Sequence, residues 1–269
     1  MITTGRLASS STAHLDGPRW GPVPAHVDAA IAADGELAEA AREAREHLTE
    51  LLEKRLPGVR AHYLDVVREV PRERFVLPAD IARSADDTPL PLDPVGNATI
   101  SAPHAYLLTY GLLALGPGDH LIELGSGTGY GAALAREMVG PRGSVTTIEI
   151  DEELHARAKR LLGADPAGCA PGDARRSPVR LLGGDARVVA AQLVADAAAG
   201  PRAPKVAVTY AMTEVPPGLE HSLPDGARLV APVGKRDDIQ ELVLLHRRSG
   251  VVWQTSHGSV RYVLERESA

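Results

Sequence analysis

Seven residues constrain this chain more than any other stretch: Glu123-Leu124-Gly125-Ser126-Gly127-Thr128-Gly129. An apolar run, Leu121 to Leu124, leads into them, and Thr128 to Met138 leads out with apolar residues at helical spacing. Glycines at a strand-to-helix junction let the backbone turn sharply and approach a ligand closely. A glycine-rich turn by itself says little, so its surroundings have to carry the reading. Downstream, Ser144 to Ile150, Val179 to Leu182, Val206 to Thr209 and Arg228 to Pro232 read as strands. Between them Glu152 to Leu162, Ala186 to Ala199 and Gly218 to Leu223 read as helices. That alternation predicts an α/β fold with a doubly wound, mostly parallel sheet. Glu241 to His246 and Val251 to Leu264 follow with no helix between them, so they are expected as antiparallel edge strands completing the sheet.

The region ahead of the glycines is different in kind. Residues 1–25, rich in Ser, Thr, Gly and Pro, predict a flexible arm. Residues 26–70 predict a helical extension, with Leu37, Ala41, Ala44, Leu48, Leu51 and Leu52 at helical spacing, a break near Pro57-Gly58 and a stop at Val70-Pro71. Residues 71–100 are proline-rich and read as loop with short extended pieces. A helix is expected over 102–115, closed by Gly116-Pro117-Gly118 and N-capped by Ser101. The expected division is therefore an arm (1–25), an extension (26–70), a core (71–234) and closing strands (235–269).

Composition narrows the partners. At 269 residues and 44 % apolar the chain suffices for one full α/β domain with extensions, and with 3 % aromatics its core must be Ala, Val and Leu. A net charge of −6 argues against a nucleic-acid partner. No apolar run of about 18 residues and no basic-then-apolar leader occurs, so a cytoplasmic protein without a membrane partner, acting as a monomer, is expected. The single cysteine, Cys169, falls in a Gly/Pro/Ala-rich stretch over 163–178, and the ten histidines show no ligand spacing, so neither a disulfide nor a metal is expected.

Acidic residues close the expected strands where ligands bind in such sheets. Glu149 ends Thr147-Ile148-Glu149, about twenty residues beyond the last glycine, where it can accept hydrogen bonds from ribose hydroxyls. Asp185, after Gly184, could meet an adenine amino group. Two ligands suit this much: a dinucleotide and S-adenosylmethionine. The glycine spacing is Gly-x-Gly-x-Gly, not the dinucleotide pattern, and Glu123 would repel a pyrophosphate but suit the cationic methionyl end of the methyl donor. The expected seat for S-adenosylmethionine, and for its product S-adenosylhomocysteine, is Glu123, Gly125, Ser126, Gly127, Thr128, Gly129, Glu149, Ile150, Gly184, Asp185 and Ala186.

Five ordered motifs then resemble one family. Val70-Pro71-Arg72-Glu73-Arg74-Phe75-Val76, Ala98-Thr99-Ile100-Ser101-Ala102-Pro103-His104 and Leu223 to Gly234 are similar to motifs of the protein-L-isoaspartate O-methyltransferases, as are Gln240-Glu241-Leu242 and Val260-Arg261-Tyr262-Val263. The resemblance implies the class I S-adenosylmethionine-dependent methyltransferase fold. It also implies methyl transfer to the free carboxylate of an isoaspartyl residue in a protein or peptide, the ester then cyclising to a succinimide. On that likeness Ser101 would help position the substrate carboxylate, with Thr99 and His104 beside it, and Ala102, Tyr210, Ala211 and Met212 would border the substrate.

The chain departs from the family pattern in places. Val95-Gly96-Asn97-Ala98 stands where a Gly-Gln pair is usual, and Tyr210-Ala211-Met212-Thr213-Glu214 stands where small residues are usual. About seventy residues precede the family core. A second branch of such enzymes methylates an aspartate in ribosomally made, cyclised peptides, and a reshaped cleft with an added helical region would suit it; the opposing reading makes the extension a solvated appendage. Rivals from other classes are a small-molecule methyltransferase and a non-catalytic module that only binds the cofactor.

Overall fold

The computed structural model describes residues 35–93, 95–163, 177, 179–235 and 239–264, with side chains from residue 39 onward. The expected arm, the start of the extension and the Cys169 stretch lie outside the described residues.

Helix α1 (Gly35–Arg55) and helix α2 (Ala61–Glu69) come first, then two 3-10 turns, Arg72–Arg74 and Pro78–Arg83. A two-stranded antiparallel hairpin follows, β1 (Leu90–Pro91) with β2 (Thr99–Ile100). Then come α3 (Pro103–Leu113), β3 (His120–Leu124), α4 (Tyr130–Val139), β4 (Ser144–Glu149), α5 (Glu152–Gly163), β5 (Val179–Gly183), α6 (Ala186–Ala197), β6 (Lys205–Val208), α7 (Pro217–Ser222), β7 (Arg228–Val233), β8 (Gln240–Arg248) and β9 (Val251–Val260). The seven-stranded sheet runs β5-β4-β3-β6-β7-β8-β9. It is parallel from β5 to β7 and antiparallel across β7–β8 and β8–β9. No described helix is long and apolar enough to cross a membrane.

Side chains alternate across a strand, and here the alternation separates two cores. Ile122, Leu124, Val206, Val208, Leu229, Ala231, Val243 and Leu245 pack with α6 and α7 on one face. Leu121, Ala207, Val230, Leu242 and Leu244 pack on the other face with α1 to α5. Helices on both faces of a mostly parallel sheet make the expected doubly wound α/β architecture.

The extension is part of that second core. Leu48 and Leu52 of α1 are fully buried, each contributing about 1.5–3 kcal/mol. The Tyr63 hydroxyl of α2 donates to the carbonyls of Leu115 (2.6 Å) and Tyr110 (3.1 Å), pinning α2 to the end of α3. Arg45 pairs with the buried Glu73 and donates to the Arg68 carbonyl. A solvated appendage would show none of this.

Three boundaries differ from the sequence reading. The N-cap of α3 is Ala102, without a side-chain cap bond, not Ser101; Pro103 at N1 lacks an N–H and presets the helical φ, so the helix starts without a capping oxygen. Its end is made by Ala114 in the left-handed region (φ 52), two residues before the glycine expected there. The last strand stops at Val260. Beyond it the Tyr262 N–H donates to the side-chain oxygen of buried Gln240 (2.9 Å), and Leu264 bridges Ala211 in parallel, so the chain turns back toward the strand ends instead of extending the hairpin.

Candidate active site

At the carboxyl ends of β3, β4, β5 and β6, where ligands bind in sheets of this kind, opens a cleft. It has a floor and a roof. The floor is Gly125 to Thr128, Ile148 to Ile150, Leu154 and Gly184 to Arg187. The roof is Leu92 and the run Asn97 to Ser101, with Tyr106, Tyr130, Thr209, Tyr210, Val263 and Leu264 closing the sides.

The floor depends on close backbone approach. Gly125 has φ +98, and a Cβ there would stand 2.4 Å from Thr209 Oγ1 and 3.1 Å from the Tyr210 ring. Thr209 Oγ1 donates to the carbonyls of Leu124 (2.9 Å) and Gly125 (2.6 Å), so the end of β6 grips the start of the loop. The buried Glu149 accepts the Gly127 N–H (2.7 Å) on one oxygen and the Asp151 N–H (3.0 Å) on the other. Asp185 caps α6 through the Arg187 N–H (2.9 Å), and the Arg187 guanidinium holds both its oxygens at 2.7–3.1 Å. The two carboxylates are thus fixed at the strand ends before any ligand arrives.

Glu123 lies behind the floor. It is 1 % exposed and is not in the cleft wall. Its side chain shares a face with Leu121, turned toward α3 and α4. One oxygen accepts the Thr147 hydroxyl (2.6 Å), which lies 2.6 Å from Ser126 Oγ. The other faces Gly131, where a Cβ would be 2.1 Å away. Burial pushes this carboxyl up to about 8, although the Thr147 hydrogen bond opposes the shift; the nearby Glu149 charge adds to it. It is therefore largely protonated at neutral pH in the free protein.

The roof is held by charge on backbone. Arg72 is 1 % exposed, and its guanidinium donates to the carbonyls of Ser84 (2.9 Å), Asp86 (3.0 Å), Thr88 (2.8 Å) and Ser101 (3.2 Å). Burial lowers its pKa, and the Asp86 and Asp87 charges oppose that shift. Asp87 accepts both the backbone N–H of His104 (2.9 Å) and its Nδ1 (2.8 Å), and pairs with Arg55 at 2.8 Å. Burial raises the Asp87 carboxyl, but the His104 and Arg55 contacts together outweigh it and hold it below the usual range. Roof and floor meet where Thr128 Oγ1 donates to the Phe75 carbonyl (2.7 Å).

Of the expected site residues, the structure gathers Thr99, Ser101, Gly125, Ser126, Gly127, Thr128, Glu149, Ile150, Gly184, Asp185, Ala186 and Tyr210 on one cleft. Gly129 is the N-cap of α4 and packs against Leu162, outside the wall. His104 points to Asp87 and Ala102 is buried, so neither lines the cleft. Ala211 and Met212 are buried because their backbone is extended and paired: the Ala211 N–H donates to the Val263 carbonyl and the Met212 N–H to the Pro232 carbonyl. Tyr210 alone of that trio lines the cleft.

Sequence reasoning passed over Leu92, Asn97, Tyr106, Tyr130, Arg187, Thr209, Val263 and Leu264. Tyr130 directly follows Gly129, so the motif itself pointed at it. It is buried against Phe75 and Tyr106 (ring centroids 5.4 Å apart in each case), with its hydroxyl unpartnered among the described residues.

Known proteins match the chain both in sequence and in fold. The family model described as protein-L-isoaspartate(D-aspartate) O-methyltransferase matches residues 43–267. Protein-L-isoaspartate O-methyltransferase 2 of Archaeoglobus fulgidus is 37 % identical over 226 residues, 82 % of this chain and 92 % of its own. The Methanopyrus kandleri protein-L-isoaspartate O-methyltransferase is 35 % identical over 82 % of this chain and 91 % of its own. Among solved structures, a Plasmodium falciparum protein of that name in complex with S-adenosyl-L-homocysteine superposes with TM-score 0.62 at 20 % identity, covering 82 % of this chain and 97 % of its own, a likeness of fold.

Proposed function

Since this chain belongs to the protein-L-isoaspartate O-methyltransferase family, we propose that its cleft seats S-adenosylmethionine on the glycine floor and presents a substrate carboxylate at the Thr99–Ser101 edge of the roof. The protein is an S-adenosylmethionine-dependent carboxyl methyltransferase acting on isoaspartyl protein substrates. One observation carries the site reading: the glycine loop and the Thr99-Ile100-Ser101 edge line the same cleft.

The residues present suit the cofactor. Glu149, already anchored on two backbone N–H groups, is a fixed acceptor for ribose hydroxyls. Ile148, Ile150 and Leu154 offer an apolar surface for the adenine, and Asp185 an acceptor for its amine. Gly125 leaves room that any side chain would fill. Glu123, one layer down and outside the cleft wall, braces the floor through Thr147 and does not touch the ligand. The bound cofactor supplies an electrophilic methyl group on a sulfonium.

The protein's share of the chemistry is modest in kind. A substrate carboxylate is ionised near neutral pH, so no strong general base is needed. What remains is to hold its oxygen in line with the methyl group, which is catalysis by proximity and orientation. Ser101, whose carbonyl is gripped by Arg72, offers its hydroxyl to the carboxylate. The resulting methyl ester is a better acyl donor than the carboxylate: attack by the following backbone nitrogen expels methanol and closes a succinimide, which water opens to aspartyl or isoaspartyl products.

A second reading, methylation of an aspartate in a cyclised ribosomal peptide, draws on Tyr210, a bulky residue in the cleft wall where small residues are usual. Methyl transfer to two peptides differing only in isoaspartate or aspartate separates the two. Base-labile ester on the isoaspartyl peptide alone is the result expected. Ester on the aspartyl peptide alone, or on neither despite bound cofactor, would overturn repair in favour of a dedicated peptide. Ser101→Ala should lower kcat by about tenfold or more with cofactor affinity nearly unchanged; equal loss of both would remove the assigned role.

A further inference from the structure

The hairpin roof ends in a turn organised by one side chain. Asp93 Oδ1 accepts the backbone N–H groups of Val95 (2.9 Å), Gly96 (2.7 Å) and Asn97 (3.2 Å), and Oδ2 accepts that of Ala98 (2.6 Å). The Leu92 N–H donates to the Ala98 carbonyl (2.9 Å) and closes the turn. Four donors on one carboxylate are charge-assisted bonds, stronger and more directional than neutral ones. They leave those N–H groups satisfied in a segment with almost no regular structure of its own.

Both shoulders of this turn touch the cofactor floor's cavity. On one side, Leu92 is 5 % exposed, and its Cδ1 lies 3.0 Å from the point a Gly127 Cβ would occupy. On the other, Asn97, Ala98 and Thr99 line the cleft opposite Glu149 and Gly184. The β1–β2 ladder beneath spans only two residue pairs, Leu90↔Ile100 and Pro91↔Thr99. So short a ladder is not stable by itself; the shape of the roof depends on what holds its tip.

We propose that Asp93 is a positioning residue for the cofactor: by gathering Val95 to Ala98 it holds Leu92 down on Gly127 and keeps the roof closed over the cleft, so that bound ligand leaves slowly. The proposal rests on the seat assigned above.

The test uses the full chain with S-adenosylhomocysteine as probe, read by calorimetry and dissociation kinetics, and hydrogen exchange over residues 92–101. Asp93→Ala should bind about tenfold more weakly, mainly through faster dissociation, with faster exchange at 95–98. Asp93→Asn keeps one acceptor oxygen and should recover most of the affinity. Leu92→Ala, which leaves the turn intact, should weaken binding about threefold without faster exchange at 95–98. Unchanged affinity in Asp93→Ala despite faster exchange would overturn the proposal. If that variant does not fold, unchanged affinity in both Asp93→Asn and Leu92→Ala would do so. Failure of the wild-type chain to bind the probe would instead sink the seat reading beneath it.

Discussion

The floor and the roof of the cleft are built by opposite means. The floor is regular structure: four parallel strand ends, a glycine turn that admits the backbone, and carboxylates at fixed offsets along the chain. The roof, from Pro71 to Ser101, has two 3-10 turns and a ladder of two residue pairs. It holds its shape because Arg72 grips four carbonyls, Asp87 grips His104 and Asp93 grips four N–H groups. A floor made of hydrogen-bonded ladders tolerates the loss of a side chain; a roof made of side chains on backbone does not. The difference teaches where this enzyme keeps rigidity in elements and where it keeps it in individual charges.

The sharpest way to break the comparison is Arg72→Met. It strands four carbonyls in a buried place and should cost about 3 kcal/mol or more, read by urea denaturation, with exchange rising over 84–101 before the sheet. A loss below about 1 kcal/mol would mean that the roof has other supports. Glu149→Ala attacks the floor. It removes the acceptor for the Gly127 and Asp151 N–H groups and for the ribose, and should weaken S-adenosylhomocysteine binding about tenfold or more, with a stability loss of about 1–2 kcal/mol from the two stranded N–H groups. Unchanged affinity by calorimetry would separate the acid from the ligand.

The smallest effect, and the finest test, concerns Glu123. Its folded value near 8 lies above the ordinary carboxyl value near 4, so the folded protein retains a proton that the unfolded chain releases. The stability this confers is fully present below about pH 4 and is lost as pH rises through 8. Glu123→Gln copies the protonated acid, so at pH 6 it should change stability by less than about 1 kcal/mol. It should also flatten the decline of cofactor-free stability toward pH 8. A variant whose stability falls with pH as steeply as the wild type would move the titration elsewhere.

The floor was legible in the sequence because its signals are local. Gly125 to Thr128 and Glu149 sit at offsets fixed by strand, turn and strand, and the mostly parallel sheet follows from alternating periodicities. The roof was not, because its residues meet through tertiary packing: Arg72 reaches Ser101 across 29 positions and Leu92 reaches Gly127 across the cleft. Ala211 and Met212 stand outside the cleft wall for a simpler reason: extended backbone turns only some side chains of a bordering segment into a cleft, here Tyr210. Ser101 read as a cap because serine favours that position, yet Pro103 moved the helix start one residue on.

The turn of the chain after Val260 has a practical side. Leu264 walls the cleft beside Val263 and Tyr210. A spectroscopic label attached at position 264 would therefore sit in the wall of the cleft and report the arrival of a ligand directly. A bulky attachment at the same position would report obstruction as poor affinity.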